Sequence, residues 1–266
     1  MLGFRVVARV LLLGSTGFFG RAVAHKMLDA GHQLRVLVRD PMKAAAFKVR
    51  GAQVLVGDAL NPGAVAQAAQ GTEHIVSLVA VRRNKPQSML EVNVDGPRIM
   101  AEAAKSAGTR SVILVSAIGA RLDAKLKYLT SRWMGEQELA KTGVAGTILR
   151  EDAARCVVEA IGKPDLLGKI VELGGPEVVT FETMYDWFLQ ARKIKKPKLH
   201  VMPELLIPGA AVMELLLDDP LVTPDEIRSS QLANVADGLD SVTAHFGWRP
   251  SPVSSWAPIN WQVKRR

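Results

Sequence analysis

The sequence predicts an α/β fold, a doubly wound parallel sheet with a small, mostly helical C-terminal appendage. Three observations predict it. Short apolar runs alternate with longer stretches of helical spacing through the first 150 residues. The first run is apolar almost without a break, as a strand buried on both faces must be. The connections between runs are long enough for helices, and crossovers of that kind are right-handed, winding the chain over both faces of one sheet.

Each element follows in order. Val6–Gly14 is the first strand, and Phe18–Ala30 is a helix with Ala22, Val23 and Met27 at helical spacing and Gly31 as its C-terminal cap. Leu34–Val38 reads as strand, Pro41–Val49 as a short helix and Gln53–Val56 as strand. Pro62–Ala69 is helix and His74–Ala80 strand. Met89–Ala107 is a long helix closed by Gly108, followed by strand Ser111–Ser116, helix Lys125–Thr142 and strand Ala145–Leu149. These make six strand–helix alternations. After Arg150 the pattern changes. Asp152–Ile161 is helical, Lys169–Leu173 a strand and Phe181–Arg192 a helix, and from Lys193 the chain is irregular and rich in proline. A basic stretch (Arg192, Lys193, Lys195, Lys196, Lys198) opens that part. The expected division is therefore a sheet domain over residues 1–150 and an appendage over residues 151–266.

Composition narrows the function classes. A chain of 266 residues with 48% hydrophobic and 23% charged residues is neither disordered, collagen-like nor a coiled coil. Cys156, the single cysteine, cannot form an internal disulfide and reads as core packing. The net charge of +8 favours an acidic partner, an anionic membrane or a phosphorylated ligand without choosing among them. The opening segment is broken by Arg5 and Arg9 and lacks a small-residue cleavage site, so it reads as a strand and not a signal peptide. No apolar run reaches the roughly 20 residues a membrane span needs. The five histidines show no metal-ligand spacing, so no metal is expected, and no nucleophile elbow is present.

The chemistry begins at Gly14-Ser15-Thr16-Gly17-Phe18-Phe19-Gly20, between the first strand and the first helix. Glycines there permit a tight turn and let the backbone approach a pyrophosphate at the positive end of the helix. Placement after a buried N-terminal strand makes the motif a dinucleotide-binding one, and the Lys-Ser/Thr ending of a P-loop is absent. About 20 residues beyond the last glycine the chain reads the adenosine ribose. Arg39 stands there, followed by Asp40, and a guanidinium takes a phosphate with two parallel hydrogen bonds. NADP(H) is favoured on that ground, with NAD(H) the alternative. Gly57-Asp58 ends the third strand, where a carboxylate can meet the adenine amino group with Ala59 beside it as a further cofactor-binding candidate, and Val79-Ala80-Val81 ends the fourth beside the same crevice.

These residues carry a resemblance. The glycine spacing, Leu37-Val-Arg-Asp-Pro41, Gly57-Asp58, Asn93-Val-Asp-Gly96, Val115-Ser-Ala117, and Tyr128 ahead of Gly135-Glu136 resemble the atypical short-chain dehydrogenases/reductases, a Rossmann-like family. Within that family the chain looks most like the nucleotide-binding accessory subunit of respiratory complex I and its bacterial homologues. The resemblance covers residues 10–150 and touches Gly168–Pro176 and Leu221–Asp225.

Enzymes of the family use a Tyr as acid/base, a Ser or Thr to hold the carbonyl oxygen, and a Lys four residues after the Tyr. The resemblance therefore implies Ser116 and Tyr128 as catalytic residues, with Arg132 where the Lys would stand. A phenol with a pKa of about 10 is a poor base near neutrality, so a cation on the same helix face must favour its phenolate. Arg132 supplies the charge but does not readily shed a proton. Turnover by this trio and a retained binding pair without turnover stand side by side. Asn93 fits the branch pattern and equally a buried structural asparagine.

Relatives continue past the sixth strand with a loop that shapes the substrate pocket, whereas Arg150 runs directly into Glu151. Either this chain has lost that loop or a stretch is omitted there, and omission fits better because distant elements would otherwise join without a connection. Leu205–Leu217 is apolar and reads as a helix packed on the domain, with an interfacial or partner-docking helix as the alternative. Trp248, Trp256 and Trp261 crowd the last 19 residues, ahead of a basic end. Two functions follow as expectations. The first is an NADP(H)-binding accessory or assembly subunit of a membrane-associated, complex I-like redox assembly, cytoplasmic or in the matrix or stroma, with peripheral membrane contact through the C-terminal region and no nucleic-acid partner. The second is a stand-alone NADPH-dependent oxidoreductase acting on a small carbonyl or quinone-like substrate. A redox-sensing regulator is a third, with nothing in the chain marking its partner site.

Overall fold

The computed structural model describes residues 7–123, 125–140, 151–232 and 241–255, in two compact units, Met1–Val171 and Glu172–Arg266. The first unit is the Rossmann-like sheet. Its strands are β1 (Arg9–Leu13), β2 (Gln33–Val38), β3 (Gln53–Val56), β4 (His74–Ser77) and β5 (Ser111–Leu114). They pair in the order β3-β2-β1-β4-β5, every pair parallel, with Leu12 opposite both Val36 and Val76, and Val76 opposite Ile113. After β3 the chain crosses to the other side of β1, so a crevice opens beyond the carboxyl ends of β1 and β4, where the winding reverses.

The helices of this unit are α1 (Phe18–Asp29), α2 (Ala45–Val49), α3 (Pro62–Ala69), α4 (Gly96–Ala107), α5 (Lys127–Ala140) and α6 (Glu151–Ala160). Leu11 and Leu13 point to one face and join Ile75, Leu114, Val65, Met100 and Leu139 in a single apolar cluster. Val10 and Leu12 point to the other face, as completely buried as Val23 and Met27 of α1, and α6 packs against α1. A parallel strand buried on both faces has no room for polar residues, which is why β1 reads as an unbroken apolar run.

Several expectations shift. The helix from Met89 to Ala107 is continuous but widens into a π turn over Glu91–Asp95, which places Asn93 in the interior. The fourth strand leaves the ladder after Ser77, where the Leu78–Val79 backbone packs against Gly14. Lys169–Leu173 is not a strand; apolar alternation makes one only where a ladder partner takes its N–H and C=O groups, and none does among the described residues. The expected sixth strand, Ala145–Leu149, the end of the preceding helix and the 150/151 junction lie outside the described residues, as do Trp256 and Trp261.

The second unit carries α7 (Phe181–Arg192), α8 (Pro203–Leu216), α9 (Pro224–Ser230) and α10 (Ser241–Phe246). The hydroxyl of Thr180 caps α7 by accepting from the Thr183 amide (3.1 Å), and Thr223 and Glu226 form a reciprocal capping box on α9. The apolar segment from Leu205 is helical, but it is not packed away: of α8 only Ala210 is fully buried, and Leu205 and Leu216 on the opposite face are 70% and 73% exposed. No helix among the described residues is long and apolar enough to cross a membrane.

Candidate functional site

The site grows out of the end of β1. Gly14 has φ +82°, a left-handed conformation, and turns the chain toward α1. The Gly17 amide donates to the Gly14 carbonyl (3.2 Å), closing the turn. A Cβ on Gly20 would lie 1.9 Å from that same oxygen, so only glycine lets α1 approach this closely. Gly17 caps α1 with no side-chain acceptor, and the first turn carries no acidic residue. The open amides and the helix dipole there suit an anion, and the residues fit a dinucleotide pyrophosphate.

A cleft of about 240 Å³ lies beyond the strand ends. Its walls bring together Gly14, Thr16 and Gly17, then Arg39, then Asp58 and Ala59, then Val79, Ala80 and Val81. Ser15 is buried with its Oγ unpartnered among the described residues, Gly20 is buried in α1, Phe19 is half-buried, and Phe18 faces solvent, 71% exposed. Asp40 spends a carboxylate oxygen on the Met42 amide (2.9 Å), capping the turn that follows β2. No carboxylate among the described residues pairs with Arg39, whose exposed guanidinium is the charge β2 brings to the cleft. Asp58 likewise accepts from the Leu60 amide (2.9 Å). Gln87 and Val92 line the cleft as well and were not expected. Gln87 enters from the irregular connection after β4 and Val92 from the π turn before α4, and no local pattern marks either.

The three candidate catalytic residues gather at the carboxyl end of β5 and the start of α5. Arg132 is 1% exposed, and its Nη2 donates to the carbonyl of Val115, the residue before Ser116. Among the described residues its Nε and Nη1 have no hydrogen-bond partner, and neither has the buried Oγ of Ser116. Burial pushes the Arg132 guanidinium below its ordinary range, while neighbouring Tyr128 and Glu136 push it back up. Tyr128 is half-buried, with the Arg82 guanidinium 5.6 Å from its ring centre.

Asn93 joins this group to the cleft. Its Oδ1 accepts from the Val81 amide (3.0 Å), and its Nδ2 donates to the Val81 carbonyl (2.8 Å) and to Ser131 Oγ (2.9 Å). Ser131 Oγ donates in turn to the Tyr128 carbonyl (2.7 Å). The family pattern had singled out Asn93, but nothing in the sequence pointed to Ser131 or Arg82.

Residues 14–153, more than half of the chain, match the family model described as NAD(P)H-binding. The chain belongs to the NAD(P)H-binding family. Among relatives of this family member, the ceramide reductase of Caulobacter vibrioides is 33% identical over 147 residues, covering 54% of this chain and 45% of that protein. The photosystem II assembly factor Ycf39 of Cyanophora paradoxa is 28% identical over 141 residues, covering 53% of this chain and 44% of that protein. The chain thus spans less than half the length of the curated relatives it matches. In fold it is similar to the NADPH-dependent quinone oxidoreductase QOR2 of Escherichia coli in complex with NADPH, with a TM-score of 0.75, 17% identity, and coverage of 95% of this chain and 100% of that one. These relatives lend no support to the expected likeness to a complex I subunit.

Proposed function

We propose that the protein is an NADPH-dependent oxidoreductase that reduces a small carbonyl or quinone-like substrate. Residues 1–150 would bind the nucleotide, and residues 151–266 would shape the substrate or partner side. The observation that carries the reading is the unmet hydrogen-bonding capacity of Ser116 Oγ and of the Arg132 guanidinium, both buried in the group that includes Tyr128. Unpaired buried donors cost about 1–3 kcal/mol each, and a bound substrate and nucleotide would supply their partners. The α1 amides and Gly17 would hold the pyrophosphate and Arg39 the adenosine 2′-phosphate. When bound, the reduced nicotinamide supplies a hydride. Tyr128 would donate its hydroxyl proton to the substrate's carbonyl oxygen, and Ser116 would hold that oxygen by a hydrogen bond. A reductase among the relatives, and the fold shared with a quinone oxidoreductase, support this over a complex I-like subunit.

The test is NADPH oxidation by the purified chain over a panel of quinones and aldehydes. Tyr128→Phe should lower turnover by about a hundredfold, within the range for a lost proton donor, and leave nucleotide binding intact. Equal rates in both proteins would sink the assignment. A second reading, a nucleotide-binding accessory or assembly subunit without turnover, is favoured by one observation: Arg132 is tied to the Val115 carbonyl and makes a poor proton relay. Tight NADPH binding with no oxidation of any substrate would promote it.

A further inference from the structure

Gly20 is not the only glycine held against a backbone oxygen. Gly135 lies inside α5, buried and in helical backbone, where glycine is a poorer helix former than alanine. Its φ is not positive, so backbone conformation does not call for glycine there. Space does. A Cβ on Gly135 would lie 2.0 Å from the carbonyl oxygen of Asn93 and 3.2 Å from Cγ of Pro97. Neither neighbour can swing aside: the oxygen belongs to the backbone of the π turn, and Pro97 is buried in the first turn of α4. Real Cβ contacts stay beyond 3.0 Å, so an alanine here would have to drive α5 and the π turn apart by about 1 Å.

Tyr128, Ser131, Arg132 and Gly135 stand at i, i+3, i+4 and i+7, the spacing of one helix face. The face of α5 that meets the π turn is therefore the face that carries the candidate acid. Two contacts set its depth. Asn93 Nδ2 donates to Ser131 Oγ (2.9 Å), and Gly135 lets the helix come up to the Asn93 carbonyl. The same asparagine side chain binds both polar groups of Val81, which lines the cleft, so the depth of α5 is fixed against the cleft wall. We propose that Gly135 is a positioning residue for the reduction: its missing side chain sets α5 at the depth from which Tyr128 delivers its proton. The proposal rests on the oxidoreductase reading for its effect on turnover but not for the displacement it predicts.

Gly135→Ala in the full chain tests it, by kinetics and by a crystal structure with NADP⁺ bound. With a quinone acceptor, kcat for NADPH oxidation should fall about tenfold or more, as a misplaced reacting group makes it do. KM for NADPH should change by less than about twofold, because the glycine turn and Arg39 are untouched. In a Tyr128→Phe background the same substitution should cost less than about twofold, since the group it misplaces is already gone. A glycine needed only for packing would cost the same in both backgrounds. The crystal structure should show the Tyr128 hydroxyl withdrawn from Val81 by about 1 Å relative to the unmodified chain. Unchanged kcat, equal losses in the two backgrounds, or a Tyr128 that stays in place overturns the proposal. If Gly135→Ala does not fold, Ser131→Ala takes its place, because it removes the side-chain tie to Asn93 and adds no atom. It should lower kcat in the same way and lose that effect in Tyr128→Phe, and an unchanged kcat overturns the proposal. If the unmodified chain oxidises no NADPH with any acceptor, the oxidoreductase reading fails, and the displacement of Tyr128 decides the positioning by itself.

Discussion

At Arg39 a single side chain carries the expected choice between two nucleotides. The neighbouring Asp40 carboxylate caps the turn after β2 by accepting from the Met42 amide. Arg39→Asp should weaken NADPH binding by roughly ten- to a hundredfold, the worth of a charge-assisted pair, and change NADH binding by less than about threefold. Titration of both nucleotides by calorimetry measures this, and equal losses would remove Arg39 from the role. Arg132 is the second decisive residue. Its Nη2 is held by the Val115 carbonyl, and burial disfavours its charge without giving it a usable proton. Arg132→Lys should raise kcat by about tenfold, or roughly 1.4 kcal/mol of barrier, with little change in KM for NADPH. If neither constant moves, proton relay at this position is not what limits turnover.

At the scale of elements, the π turn before α4 does what an ordinary helical turn would not. It directs Asn93 between the backbone after β4 and helix α5, so that both polar groups of Val81 and the Ser131 hydroxyl are satisfied at once. Asn93→Ala should cost about 2–3 kcal/mol of stability, because it strands buried polar groups. It should also lower kcat more than it raises KM, since Val81 and Tyr128 lose their common anchor. Urea unfolding and steady-state kinetics read the two effects. A double-mutant cycle with Ser131→Ala should show coupling of at least about 0.5 kcal/mol, whereas additivity would mean that the network does not act as a unit.

At the scale of the whole molecule, the sheet has two poles. The cleft occupies the carboxyl pole, and the amino pole carries two buried histidines. His32 Nδ1 accepts from the Ala8 amide (3.2 Å), and His74 Nδ1 lies 2.6 Å from Ser111 Oγ. Burial pushes both imidazoles below the ordinary value of 6.5; at His74, Glu73 opposes this while Arg110 and His32 add to it. The unfolded chain therefore takes up protons that the folded chain refuses, and stability falls as pH drops below about 6.5. Glu73 acts in the same direction further into acid. The Arg9 amide holds its carboxyl below the ordinary 4.5, and that stabilisation is lost as pH falls through the depressed value. The urea midpoint should be flat above about pH 7 and decline below about 6.5. The double variant His32→Gln, His74→Gln should be flatter between pH 6.5 and 5.5, and an unchanged slope would clear the histidines. Cys156 stands apart from this titration, fully buried, with its thiol pushed up to about 12 by desolvation.

By itself the sequence determined the α/β class, the order of strands and helices through β5, the glycine turn and the position of Arg39. These are local properties: strand and helix periods are written in neighbouring residues, and a turn that lets α1 approach Gly14 to within a Cβ's width demands glycine wherever it occurs. The tertiary structure decided what local pattern does not encode. Lys169–Leu173 alternates like a strand yet is none, because a strand exists only through its partner. The π turn that turns Asn93 inward, the entry of Gln87 into the cleft, the placement of Arg82 over the Tyr128 ring and the bond from Arg132 to Val115 join residues 12 to 46 positions apart or more. Contacts of that range are settled by how α4 and α5 pack beside β4 and β5, and packing satisfies polar groups that the sequence presents only as a composition.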